Sequence, residues 1–110
     1  MIELGPGLGR LRRVSGEGGI DPQLWQQGRV EVGFNHGDVD CRLRGRDGRR
    51  NFKRLAQELA IPPWTRPRVP LVLIDGRVAA VADLCVCEPF AVAAGETGWS
   101  MIWERDDETA

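Results

Sequence analysis

The strongest constraint on the fold lies in residues 51–70, NFKRLAQELAIPPWTRPRVP, where a helical pattern is cut off by two prolines and a turn leads into the most apolar run of the chain. Phe52, Leu55, Ala56, Leu59 and Ala60 recur at the helical period and form one apolar stripe, with Lys53, Arg54, Gln57 and Glu58 on the other side. Asn51 can serve as N-cap, although Arg54 stands where a capping box has an acid or amide. Pro62 and Pro63 lack the N–H groups a continuing helix uses, and a proline pushes the residue before it out of helical geometry, so Ile61 should leave the helix. A helix of about three turns does not persist alone in water. It needs a sheet to lie on.

The remainder of the chain reads as strands. Residues 69–74, VPLVLI, form a nearly continuous apolar strand that should be central, with Pro70 tolerated near its start where a missing ladder donor matters least. Asp75-Gly76 is a hairpin signal that returns residues 77–82 antiparallel to it. Upstream, Val30, Val32 and Phe34 alternate with Glu31 and Gly33, and after a turn at residues 35–38, Val39, Cys41 and Leu43 alternate with Asp40, Arg42 and Arg44. The two stretches are expected to form a hairpin or bent pair. Residues 11–14 suit a strand followed by a turn, Asp21-Pro22 can open a single helical turn at Leu24 and Trp25, and residues 98–103 close the domain as an alternating strand. Fourteen glycines and seven prolines imply many turns and argue against an all-helical domain. The expected class is α+β, two small antiparallel layers with the helix over one face.

At 110 residues the chain amounts to one domain. Residues 1–19 are read as an N-terminal extension or edge strand, 20–104 as the domain, and 105–110 as a frayed acidic tail. No apolar run reaches membrane-spanning length and no secretory leader is evident, so a cytoplasmic location is expected.

Little in the sequence points to chemistry. Cys85 and Cys87 are too close for a typical zinc pair, and on a strand both side chains face one way, where filling core suits them better than binding metal. Three cysteines without an export signal speak against a disulfide scaffold. His36 sits in a turn with no nucleophile beside it and reads as a surface residue, and Asp83 and Glu88 have no evident catalytic partner. The glycines at 5, 7 and 9 lack the strand and helix that a phosphate-cradling loop requires.

The charge distribution says more. The net charge is −1, yet between Arg42 and Arg68 nine basic residues face only Asp47 and Glu58, a local excess of +7 that a phosphate would feel. Lys53 and Arg54 stand at the first turn of the helix, where amide donors add to their charge. Arg42, Arg44, Arg46, Arg49, Arg50, Arg66 and Arg68 can flank that point. Such contacts position a nucleic acid without reading its bases. Trp64, between Pro62-Pro63 and the arginines at 66 and 68, either anchors the turn by packing on the sheet or stacks on a base or ribose edge.

These residues carry a resemblance. Gly45-Arg46, Phe52-Lys53-Arg54-Leu55, Gln57-Glu58, Pro62-Pro63-Trp64, Arg66-x-Arg68 and Pro70-Leu71, followed by Asp75-Gly76, Ala79-Ala80-Val81, Phe90 and Gly98-Trp99, resemble the C-terminal domain of bacterial tRNA(Ile)-lysidine synthase in order and spacing, over most of residues 20–104. The resemblance implies a three-layer β/β/α sandwich similar to a domain of the phenylalanyl-tRNA synthetase β subunit. It implies a parent ligase that uses ATP and lysine, with Mg, to convert cytidine 34 of the isoleucine tRNA bearing a CAU anticodon to lysidine. The partners implied are that tRNA and an N-terminal catalytic domain of the same polypeptide, with neither membrane nor DNA involved. The adenylating SGGxDS loop of such a domain has no match here, since residues 15–19 read SGEGG, so these 110 residues by themselves are expected to be inactive and to hold the tRNA. Lys53, Arg54, Arg44, Arg46, Arg49, Arg50, Arg66, Arg68 and Trp64 are the expected RNA-binding residues. Two arginines of the family pattern are replaced by Asn35 and Asp40, which weakens that edge for phosphate. The alternative is a structural or interdomain packing module without direct tRNA contact.

Overall fold

The computed structural model describes residues 2–4, 8–43, 48–93 and 95–104. Seven strands and two α-helices follow in the order β1 (Ile2–Glu3), β2 (Arg10–Glu17), α1 (Pro22–Gln27), β3 (Val30–Gly33), α2 (Phe52–Glu58), β4 (Leu71–Ile74), β5 (Arg77–Val81), β6 (Cys85–Val86) and β7 (Thr97–Glu104), with short 3-10 turns at His36–Asp38 and Arg66–Arg68. They build two antiparallel sheets, one ordered β1-β2-β7 and the other β3-β4-β5-β6. The α+β class expected from periodicity is the one observed. The glycine motif at 5, 7 and 9 lies mostly outside the described residues.

The second sheet grows from its apolar centre. Leu71, Val72 and Ile74 are buried, and β4 pairs with β3 on one side and β5 on the other. The β4–β5 connection is the two-residue turn at Asp75 and Gly76, whose φ values of 52° and 81° are both positive, as a turn matching the twist of a hairpin requires. The Asp75 carboxylate also accepts from the Arg29 amide at 2.9 Å, which fixes the entry to β3. In the first sheet β2 and β7 pair residue for residue over their whole length, from Arg10 opposite Glu104 to Glu17 opposite Thr97. Gly19 lies so close to β7 that a Cβ there would stand 2.6 Å from the Trp99 carbonyl, so the residue is fixed by space. The two sheets meet where Leu11, Met101 and Trp103 join Leu71, Val72 and Val78 to Val81 in one buried cluster. The Asp83 carboxylate bridges them, accepting from the Trp103 amide.

The helix is shorter than its apolar stripe. It buries Phe52, Leu55 and Ala56 in the common core and stops at Glu58, because the chain reverses at Ala60 with φ of 56°. The Ile61 amide bonds back to the Ala56 carbonyl and the Ala60 amide to that of Gln57, a Schellman closure with alanine where glycine is usual. The prolines therefore follow a helix end that is already made. Asn51 caps as expected, its Oδ1 accepting from the Arg54 amide at 2.9 Å.

Two expectations are corrected. The strand expected over residues 39–44 is absent from its described part, 39–43, which does not pair with β3, whose partner is β4. Val39 and Cys41 are buried and Asp40 and Arg42 exposed, so the alternation is real, but the segment makes only single bridges, Cys41 with Arg50 and Arg42 with Glu88. The second correction concerns cysteine, since Cys41 and Cys87 form a disulfide across 46 residues, with Cα atoms 5.2 Å apart. Parity put Cys87 in the core correctly, but its partner lies on a segment remote in sequence. Cys85 remains a free thiol, pushed up to about 11 by burial, against a smaller opposing effect of a backbone hydrogen bond at Val81, and so is a poor nucleophile near neutral pH.

Candidate nucleic-acid interface

Antiparallel neighbours need only a tight turn between them, yet β3 and β4 are joined by the whole of residues 34–70. This excursion contains every basic residue of the central cluster, and long connections on a rigid sheet are where binding residues concentrate. It includes the 3-10 turn at His36–Asp38, the bridge between Cys41 and Arg50, α2, and the second 3-10 turn before β4.

The excursion folds back on itself. From Phe52 the chain descends α2, reverses at Ala60, and passes through Pro62 to Arg68, with the Thr65 and Arg66 amides both donating to the Pro62 carbonyl. It returns to the start of α2 at Val69. One side chain spans that closure: His36 stacks on the Phe52 ring, centroids 4.2 Å apart and planes 25° from parallel, while its Nε2 lies 2.8 Å from the Val69 carbonyl. A carbonyl oxygen only accepts, so Nε2 carries the proton of that bond. The surface-turn reading of His36 is thereby overturned, since the ring is half-buried and engaged on both sides.

The nominated residues divide into groups. Lys53 and Arg54 are exposed on α2 and have no ion-pair partner among the described residues. Arg68 is half-buried and precedes Val69, whose carbonyl meets the same His36 ring as Phe52 at the start of the helix. Arg66 donates through Nε to the Ile61 carbonyl at 2.9 Å, so part of its guanidinium holds the turn together. Trp64 is 78% exposed, which overturns the reading in which it anchors the turn by packing on the sheet. Large indole surfaces are seldom left so open on a folded domain, and a flat aromatic face beside cations suits a base or ribose.

Two other arginines are engaged within the protein. Arg50 is the one buried polar residue among the described residues; its Nε donates to Glu58 Oε2 and its Nη1 to the Gly48 carbonyl, each at 2.9 Å. It ties the segment before α2 to the last turn of the helix, so its guanidinium is engaged within the protein. Arg49 is exposed and paired at 3.0 Å with Asp40. Arg44 and Arg46 lie outside the described residues. The amide of Arg54 already serves the Asn51 cap, so the charges of α2 rather than its free amides define this surface.

Among the described residues no group of three or more His, Cys, Asp or Glu side chains could hold a metal ion, and no helix is long and apolar enough to cross a membrane. A concavity of about 160 Å³ is lined by Asp38, Asp40, Arg49, Arg77 and Glu88, a mixed-charge surface without the open cations of α2.

Residues 30–103 match the model of a family described as the TilS substrate C-terminal domain. The tRNA(Ile)-lysidine synthase of Serratia proteamaculans (strain 568) is 38% identical over 105 residues, covering 94% of this chain and 23% of the relative. That of Shigella flexneri is 35% identical over 104 residues, again 94% of this chain and 23% of the relative. That of Methylococcus capsulatus reaches 44% over 63 residues, 57% of this chain and 14% of the relative. The chain thus spans less than a quarter of the length of these relatives.

Proposed function

Because the chain belongs to the family of TilS substrate C-terminal domains, we propose that it is a tRNA-binding module, holding the isoleucine tRNA with a CAU anticodon for a catalytic domain of a longer tRNA(Ile)-lysidine synthase. On this reading the ligation of lysine to cytidine 34, with ATP and Mg, takes place on that other domain. These residues supply affinity and placement.

The observation that carries the reading is the contrast in availability on the β3–β4 excursion. Lys53 and Arg54 are open to solvent without an acidic partner among the described residues, and the exposed indole of Trp64 sits on the return segment of the same closed loop. Cations give sequence-independent, salt-sensitive attraction to phosphates, while a single aromatic face takes an unpaired base or the edge of a ribose. A helix of seven residues is about 10 Å long, so the two features can meet neighbouring parts of one RNA strand.

The test is a binding titration of the 110-residue chain with isoleucine CAU tRNA at several salt concentrations, in parallel with Lys53→Ala/Arg54→Ala. Affinity should fall as salt rises, and the double variant should bind about tenfold more weakly at low salt with a shallower salt dependence. Equal affinity of wild type and double variant would move the phosphate contact away from α2. Absence of tRNA binding by the wild type would favour the interdomain packing role.

A further inference from the structure

We propose that His36 is a positioning residue of the RNA-binding surface, the clasp that sets Lys53 and Arg54 against Arg68. This rests on the tRNA-binding reading and goes beyond it, since His36 carries none of the proposed contacts.

The argument starts from what each partner of His36 would lack without it. The Val69 carbonyl is buried, precedes a proline that has no N–H, and lies just outside β4, and among the described residues no backbone amide donates to it. A buried carbonyl left unpaired is costly, and the imidazole Nε2 at 2.8 Å supplies the missing donor. On the other side, Phe52 is the first residue of α2 and its ring rests on the imidazole face. Lys53 and Arg54 follow Phe52 immediately, and Arg68 precedes Val69. One ring therefore touches the residue next to the open cations of the helix and the residue next to the arginine of the return segment.

The clasp is itself held. Asn35 Nδ2 donates to Asp38 Oδ2 at 2.9 Å, and the Asp38 and Val39 amides close the 3-10 turn onto the Asn35 and His36 carbonyls. Val39 and Cys41 then fix the far side of the turn in the core, Cys41 through its disulfide to Cys87. His36 thus has a rigid mounting on the sheet side while its ring controls how closely two otherwise short, marginal elements approach. A seven-residue helix and a three-residue 3-10 turn have little intrinsic rigidity, so their spacing depends on such a contact.

The salt dependence of binding separates positioning from folding. Partial unfolding lowers the binding-competent fraction by the same factor at every salt concentration, leaving the slope of log K against log salt unchanged. Loss of a phosphate contact makes that slope shallower by about one. Isoleucine CAU tRNA would be titrated against wild type, His36→Ala, His36→Gln and His36→Phe, with urea midpoints measured on each. His36→Ala should bind about tenfold more weakly at low salt, with a slope shallower by about one to two. His36→Gln, which keeps an amide donor for Val69, and His36→Phe, which keeps the ring on Phe52, should each recover part of the slope. A slope equal to wild type in all three variants would overturn the proposal, leaving tRNA binding intact but His36 structural only. If His36→Ala does not fold, the Gln and Phe variants decide by the same criterion. Wild type that binds no tRNA overturns the proposed function and this inference together.

Discussion

Arg50 and Lys53 are three residues apart and carry the same charge, but the fold gives them opposite surroundings. At residues 49 and 50 the cations turn inward or onto acids: Arg50 is buried against Glu58 and Gly48, and Arg49 pairs with Asp40. Lys53 and Arg54 stand open. The +7 excess of residues 42–68 therefore overstates the charge available to a partner, because part of it is neutralised within the domain. A charge count becomes an interface only after each cation has been assigned its neighbour.

The largest test of this division removes the staple behind the paired half. Cys41 exchanges both backbone hydrogen bonds with Arg50 and is tied to Cys87 across 46 residues. By the chain-entropy account, closing a loop of that length contributes about 4 kcal/mol. Cys41→Ala/Cys87→Ala should lower stability by about that amount in urea unfolding under non-reducing conditions. Equal midpoints for the oxidised wild type and the double variant would mean that the bridge is not formed in solution.

Arg50→Met comes next. The arginine side chain is 7% exposed and that of Glu58 28%, so truncating the arginine takes a charge-assisted bond from a partly desolvated carboxylate. Breaking such a pair costs about 2–4 kcal/mol, toward the lower end here because water reaches Glu58. Arg50→Met/Glu58→Leu should recover much of the loss, since well-packed apolar replacements avoid the stranded charge. Neither variant should change the salt slope of tRNA binding measured in the folded range. A shallower slope would return Arg50 to the interface and erase the boundary drawn between residues 50 and 53.

Why this boundary was not legible beforehand follows from the contacts that make it. The α2 stripe, the apolar strand expected over 69–74 and the Asp75-Gly76 turn are specified by neighbours within a few residues; the turn stands where it was expected, while the helix ends at Glu58 and the strand begins at Leu71, inside their expected bounds. Lys53 and Arg54 fall on the polar side of that stripe for the same reason. Arg50 finds Glu58 eight residues away, outside the i,i+4 spacing that marks helical ion pairs. His36 meets Phe52 and Val69 across 16 and 33 residues, and Cys41 meets Cys87 across 46. Nothing in their local sequence announces those partners. Of the two readings of Trp64, the packed one fails: the hydrophobicity of tryptophan favours burial, but the closed loop from Phe52 to Val69 leaves it on the outside. The strand expected from the alternation that begins at Val39 has a related origin, since a segment buried at alternate residues, as Val39 and Cys41 are, shows the same period of two as a strand in a sheet.

The smallest effect is also the one that sharpens the comparison most. Asp40 and Arg49 are 3.0 Å apart with side chains about 60% exposed, and an exposed pair of this kind contributes about 0–1 kcal/mol. Asp40→Asn should therefore leave the urea midpoint almost unchanged. It releases the Arg49 guanidinium from its carboxylate and removes a negative charge from the approach to the excursion. If Arg49 lies within about a Debye length of the bound RNA, roughly 10 Å at 0.1 M salt, affinity for isoleucine CAU tRNA should rise about two- to fivefold at low salt. The salt slope should steepen at the same time. Asp40→Asn/Arg49→Ala supplies the control, because without the guanidinium the gain should shrink to what removal of one repulsive charge gives. Unchanged affinity in Asp40→Asn would confine the interface to residues 53–68, and a gain that survives in the control would assign the effect to Asp40 repelling phosphate directly. In either case Asp40 becomes a measurable limit on how far along the excursion the tRNA is held.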